Sequence, residues 1–189
     1  MSALQQTKQP LMSEITIRGV TPADAAAVGE IFGHHVIHGV ATFETVPPDE
    51  AEMTARIERV LGAGWPWLVA VDSAGEIIGY AYAAQLNARH AYRYSCENSV
   101  YLRHDRRGQG IGTALLGALL EAAEAAGCRQ MVALIAGSES ASVALHARHG
   151  FEMAGRWRSV GRKHGRWLDV LSMQRALGGG DTTAPAQEP

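Results

Sequence analysis

Cysteine is scarce in this chain. Its 189 residues hold two, Cys96 and Cys128, too few for a disulfide framework. Both read as reduced thiols of a cytosolic protein. An excess of charge of one sign is also lacking. Seventeen Lys and Arg against nineteen Asp and Glu give a net charge of −2, so nothing in the bulk electrostatics suggests nucleic-acid binding. No apolar run reaches membrane-spanning length, and Met1–Ser13 has no apolar signal-peptide core. The expected location is the cytoplasm, with neither a nucleic-acid nor a membrane partner. There is no internal repeat, and the length suits one domain with a sizeable core.

What is present is concentrated at Arg103–Thr113, Arg-His-Asp-Arg-Arg-Gly-Gln-Gly-Ile-Gly-Thr. A strand-like apolar run, Cys96–Leu102, leads in, and an Ala/Leu-rich helical run, Ile111–Ala126, leads out. Basic residues and closely spaced glycines at a strand-to-helix turn suit a phosphate-bearing ligand. Glycine lets backbone approach the anion, and the first helical turn offers unpaired N–H groups at the positive end of the dipole. A P-loop would need a lysine after its glycines, and none follows. A dinucleotide fingerprint would need Gly-x-Gly-x-x-Gly early in a βαβ unit. Gly108, Gly110 and Gly112 instead give Gly-x-Gly-x-Gly in mid-chain.

Residues 1–13 and 178–189 have the composition of disordered tails, leaving one domain at 14–177. Ile15, Ile17 and Val20 suggest a first strand. Thr21-Pro22-Ala23-Asp24 starts a helix running to about His35. Asp49–Leu61 is a second helix. Trp67–Val71 and Ile77–Ala84 flank a turn at Asp72–Gly75 and read as a hairpin. Tyr92–Leu102 is a long strand, Met131–Ile135 a buried one, and Ser140–His149 a short helix. Phe151–Val160 and Trp167–Arg175 close as paired strands. The order β-α-α-β-β-β-α-β-α-β-β is mixed α/β.

Arg107, Gly110 and Gly112 fill the pattern Arg/Gln-x-x-Gly-x-Gly/Ala, and the loop resembles the acetyl-CoA pyrophosphate loop of the GNAT superfamily of N-acetyltransferases. Three further segments resemble its phosphinothricin and methionine sulfoximine acetyltransferase branch: Trp65–Ala70, Glu97-Asn98-Ser99-Val100-Tyr101-Leu102 and Lys163-His164-Gly165-Arg166-Trp167-Leu168-Asp169-Val170. The resemblance spans about Ile15–Arg175. It implies the GNAT acyl-CoA fold, a mixed central sheet flanked by helices. It also implies acetyl-CoA as co-substrate, a small amino acid or analogue as amine acceptor, and a homodimer. Acetylation of a peptide or protein amine and a catalytically silent acetyl-CoA-binding module stand as alternatives. Glu97 argues against the silent module.

Acetyl transfer needs the amine deprotonated, a donor for the oxyanion and a tolerable fate for the thiolate. Glu97, in an apolar strand beside Cys96, is the candidate base, with desolvation raising its pKa; a solvent-facing glutamate is the alternative. His146 stands where most of the superfamily has a tyrosine acid. It is either a proton donor or a helix histidine packed on the closing strands. The resemblance implies cofactor contacts from Val100, Tyr101 and Leu102, from Arg107, Gly108, Gln109, Gly110, Ile111, Gly112 and Thr113, and from Glu139 and Ser142. The Val100 region is also a candidate oxyanion donor. It implies a substrate environment from Phe43, Asn87, Arg89, Tyr92, Arg93, Asn98 and Ser99. Arg89 and Arg93 are candidates for a bidentate carboxylate contact; a solvated loop is their alternative, and a core aromatic that of Phe43. His34-His35-x-x-His38 puts two imidazoles at i and i+4, but no acid or cysteine cluster completes a metal site, so no metal is expected. Cys96 reads as a small core residue rather than a nucleophile.

Overall fold

The computed structural model describes residues 15–137 and 139–185. The tail expected at 1–13 lies outside the described residues. The first strand, β1, is Thr16–Gly19. Thr21 then caps a 3-10 turn, Pro22–Asp24, that runs into α1 at Ala25–His38. The start is a capping box: Asp24 Oδ2 accepts from the Thr21 N–H at 2.8 Å and its hydroxyl at 3.0 Å. Arg18 grips the same carboxylate at 2.7 and 2.8 Å and is the main cause of its pKa falling to about 2. The helix outlasts the expected His35 by one turn and ends at Gly39, whose N–H bonds the His35 carbonyl at 3.0 Å.

Helix α2, Glu50–Gly62, is capped by Asp49, which accepts from the Glu52 N–H at 2.8 Å. β2 (Trp67–Val71) and β3 (Ile77–Gln85) form the expected hairpin. β4 is Ser95–Leu102, shorter than the run read from Tyr92. Residues 89–93 coil into a 3-10 turn instead, with Tyr92 N–H to Arg89 and Arg93 N–H to His90 carbonyls, and Asn87 Oδ1 holds the Arg89 N–H at 3.0 Å. α3 (Ile111–Ala125), β5 (Gln130–Ala136) and α4 (Ser140–Arg148) follow. β6 (Glu152–Lys163) and β7 (Arg166–Ala176) extend further toward each other than expected. A two-residue turn at His164 and Gly165, φ +49° and +74°, joins them in the left-handed geometry a tight hairpin needs. Past Leu177 the chain turns back on Arg129, whose guanidinium donates to the Thr183 and Ala184 carbonyls.

The seven strands lie in the order β1-β2-β3-β4-β5-β7-β6, and all neighbours are antiparallel except β4 and β5. Helix α3 packs on one face through Leu115, Leu116 and Leu119, all fully buried, with Cys96, Cys128 and Met131. Each such leucine contributes about 1.5–3 kcal/mol. The other face carries α1 and α2 over Trp67, Val69 and Tyr80, with Tyr82 and Tyr101 at its margin. Among the described residues no helix is long and apolar enough to cross a membrane, and no group of three or more His, Cys, Asp or Glu could hold a metal ion.

Candidate active site

The parallel pairing of β4 and β5 runs from Ser95 with Gln130 to Asn98 with Ala133 and stops, although β4 continues to Leu102 and β5 to Ala136. The strands part there. Beyond Asn98 one edge of β4 has β3 as partner and the other has no strand. The groove so formed is lined by Ser99, Val100, Tyr101, Leu134, Ile135, Glu139 and Ser142. An exposed backbone edge of this kind can take an extended chain of alternating amide groups as an added strand. The Leu102 carbonyl is already engaged, accepting from buried His35 Nε2 at 2.8 Å.

The glycine loop lies where β4 gives way to α3. Arg103 is bound to Asp105 at 2.7 Å and Arg106 to Asp72 at 3.1 Å, while Arg107 is exposed. Gly108 and Gly110 hold φ of +74° and +80°, and a Cβ on either would meet no neighbour within 4 Å. Gly110 is the residue before the first helical one. Ala114 N–H makes the first i to i−4 bond, to its carbonyl, so the N–H groups of Ile111, Gly112 and Thr113 precede the ladder. Gly112 serves packing: a Cβ there would lie 3.4 Å from Leu145 and 3.6 Å from Leu102.

Strand alternation divides the residues of β4. Cys96, Val100 and Leu102 belong to the α3 side, and Tyr101 to the α1–α2 side. Glu97 and Ser99 therefore share the Tyr101 face. Glu97 is half-buried, and burial alone raises its pKa above the ordinary carboxylate value. Ser99 hydrogen-bonds Tyr82, and Tyr101 bonds Thr42. Burial pushes both phenols up, so they are neutral donors at ordinary pH.

Asn98 faces the other way. It is 5% exposed, donates from Nδ2 to the Val132 carbonyl at 3.2 Å and turns Oδ1 to His146 Nε2 at 3.0 Å. It ties β4, β5 and α4 together and does not look onto the Glu97 side. The ring of His146 is buried edge-on to Phe151, with Nδ1 2.8 Å from the Ser142 carbonyl. Burial lowers the pKa of the ring and outweighs the Ser142 carbonyl, which raises it. The neutral ring has one N–H to share between the Ser142 carbonyl and Asn98 Oδ1, and both His146 and Asn98 line the groove.

Asn87, Arg89, Tyr92 and Arg93 lie on the loop that springs from the Gln85–Cys96 pair, one residue short of Glu97. Arg89 is exposed. Arg93 packs over the Tyr94 ring at 4.7 Å and donates to its hydroxyl at 2.8 Å. Phe43 leans on β6 so closely that a Cβ at Gly161 would fall 2.0 Å from its ring.

Sequence reasoning passed over the device that seats the Phe43 loop. Buried Lys163 donates from Nζ to the Thr42 carbonyl at 2.8 Å and reaches that of His35 at 3.5 Å, and His164 Nε2 bonds the Gly39 carbonyl at 3.1 Å. Lys163 stood in the sequence only as part of the family-like segment Lys163–Val170, between the two expected strands. Also passed over was the aromatic row Trp67, Tyr80 and Tyr82, legible only as alternating positions of a hairpin. Cys96 is fully buried beside Cys128, and burial and that neighbour hold its thiol protonated.

A sequence profile described as Acetyltransferase (GNAT) domain matches residues 17–172. The phosphinothricin N-acetyltransferase of Alcaligenes faecalis is 48% identical over 171 residues, 90% of this chain and 86% of the relative. The L-methionine sulfoximine/L-methionine sulfone acetyltransferase of Pseudomonas aeruginosa is 41% identical over 162 residues, 86% of this chain and 94% of the relative. A GNAT superfamily phosphinothricin acetyltransferase from Sinorhizobium meliloti, solved in complex with acetyl-CoA, superposes with a TM-score of 0.90 at 47% identity. The match covers 92% of this chain and 94% of that one.

Proposed function

Because this chain belongs to the GNAT acetyltransferase family, we propose that it moves an acetyl group from acetyl-CoA to the amine of a small amino acid or analogue of the phosphinothricin, methionine sulfoximine or methionine sulfone type. The observation that carries this reading is the half-buried Glu97, its pKa raised by burial, one residue before β4 parts from β5. A carboxylate so tuned is a better base near neutral pH than an ordinary one.

Acetyl-CoA supplies the acetyl group as a thioester. Its pyrophosphate would lie on the N–H groups of Ile111, Gly112 and Thr113 with Arg107, Gly108, Gln109 and Gly110 around it. Its arm would run along the β4 edge at Val100 and Tyr101, with Glu139 and Ser142 opposite. Glu97 takes the proton from the amine, directly or through a water. A backbone N–H near Val100 holds the charge that develops on the carbonyl oxygen. His146 acts by holding Asn98 and the groove walls, and the thiolate is protonated from solvent. Arg89 and Arg93 receive the substrate carboxylate, and Phe43, Tyr92 and Ser99 border the acceptor.

The chain works in the cytoplasm as a homodimer. Trp157, Val160 and Trp167 on β6–β7 are each more than half exposed, large apolar side chains that a partner subunit could cover.

The test is mass spectrometry of an amine panel with acetyl-CoA, followed by Glu97→Gln on the best acceptor. Glutamine keeps the size but cannot take a proton. Turnover should drop by about 10² to 10⁴, and the acidic limb, where wild-type rate falls as pH drops through the raised Glu97 pKa, should vanish. An unchanged limb would assign the proton to another group.

A further inference from the structure

Beyond Asn98 the free edge of β4 carries few backbone groups, and the fold has already used one of them. The Arg103 N–H bonds the Ile78 carbonyl at 3.0 Å. Successive residues of a strand turn their backbone groups to opposite edges, so Arg103, Tyr101 and Ser99 spend theirs on β3. The N–H and C=O of Val100 and of Leu102 therefore point to the edge that β5 has left. The last of these groups, the Leu102 carbonyl, accepts from His35 Nε2 at 2.8 Å.

His35 belongs to α1, 67 positions away in the sequence. It is 5% exposed, and its ring lies against Tyr101 with centroids 5.4 Å apart. A carbonyl can only accept, so Nε2 carries the ring's proton. Burial lowers the pKa of the ring, outweighing that carbonyl, and keeps the imidazole neutral at ordinary pH. Arg107 of the glycine loop and Glu139 of the opposite groove wall are both close enough to act on it. The ring thus sits where the β4 edge ends and the turn through His104–Arg106 leads to the glycines.

Acetyl-CoA has to meet both features at once, its arm on the β4 edge and its pyrophosphate at the start of α3. Two contacts made by one ligand reinforce each other only when their spacing fits. We propose that His35 is a positioning residue for the cofactor: by clamping the Leu102 carbonyl it holds the β4 edge and the glycine loop at the spacing that acetyl-CoA requires. The inference rests on the acetyl-CoA binding of the proposed function. It gives α1 a part in that binding through Leu102.

The test compares wild type with His35→Leu, which removes the donor, and His35→Gln, which keeps one. Acetyl-CoA binding is read by calorimetry. Binding of S-acetylpantetheine, which has the arm and no pyrophosphate, is read from the Val100 and Leu102 amide resonances. His35→Leu should weaken acetyl-CoA by about tenfold or more and S-acetylpantetheine by less than about threefold, and His35→Gln should recover most of the loss. In wild type, the His35 Nε2 proton resonance should persist and exchange with water more slowly once acetyl-CoA is bound. This measurement stands even if neither variant folds. Unchanged acetyl-CoA affinity in His35→Leu, equal losses for both ligands, no recovery in His35→Gln, or an Nε2 proton that is lost or exchanges no more slowly overturns the proposal and leaves acetyl transfer standing. A wild type that binds no acetyl-CoA overturns both.

Discussion

His146→Ala separates architecture from chemistry at the groove. The substitution deletes a ring 4% exposed, its contacts with Ser142 at 2.8 Å and Asn98 at 3.0 Å, and its edge-on packing at 5.0 Å from Phe151. The neutral ring has one N–H for the two acceptors, so one hydrogen bond of about 1 kcal/mol is lost, and the aromatic contact adds about 0.5–1.5 kcal/mol. Asn98 Oδ1, left buried without a donor, costs about 1–3 kcal/mol. The total is roughly 4 kcal/mol, which lowers Tm by about 10 °C in a domain of this size. Turnover, measured well below the new Tm with both substrates saturating, should fall by less than about tenfold, because a thiol of pKa about 8.5 leaves tolerably as thiolate. Circular-dichroism melts alongside steady-state kinetics give both numbers. A Tm within about 2 °C of wild type with turnover down by more than about a hundredfold would refute the packing argument and make His146 the proton donor.

Stability should fall as pH drops below about 6.5, the unfolded histidine value. Burial lowers the folded pKa of both His35 and His146, so the unfolded chain takes up more protons there; urea melts at pH 7 and pH 5 measure the loss, and His146→Ala should flatten it. Gly110→Asp puts a side chain and a negative charge at φ +80° in the cofactor loop, so acetyl-CoA should raise the wild-type melting temperature and not the variant's. Lys163→Met keeps the stem but removes the donor to Thr42 at 2.8 Å; KM for the amine should rise severalfold with acetyl-CoA affinity unchanged, read by initial rates and calorimetry.

The order of elements, the helix starts at Thr21 and Asp49, and the glycine loop were legible in the sequence because each is a local event. Capping, hairpin turns and positive-φ glycines act within a few residues of themselves. Tyr92–Tyr94 read as strand for the same reason: its aromatic composition favours one, whereas the Tyr92 N–H bond to Arg89 and the Arg93 N–H bond to His90, behind the anchoring of Arg89 by Asn87, close a 3-10 turn instead. Glu97 could be chosen from its place in an apolar strand, but its face could not. Register decides that it shares a surface with Ser99 and Tyr101 while Asn98, next to it in sequence, turns to His146. Likewise the groove exists because β4 and β5 stop pairing at Asn98 and Ala133, an event that joins residues 35 positions apart. Lys163 meets Thr42 across 121 positions, and Trp67 gains its unpaired N–H only when α2 closes over it. Such contacts follow from packing of distant segments, which carries no local pattern, and these decide how the site is walled.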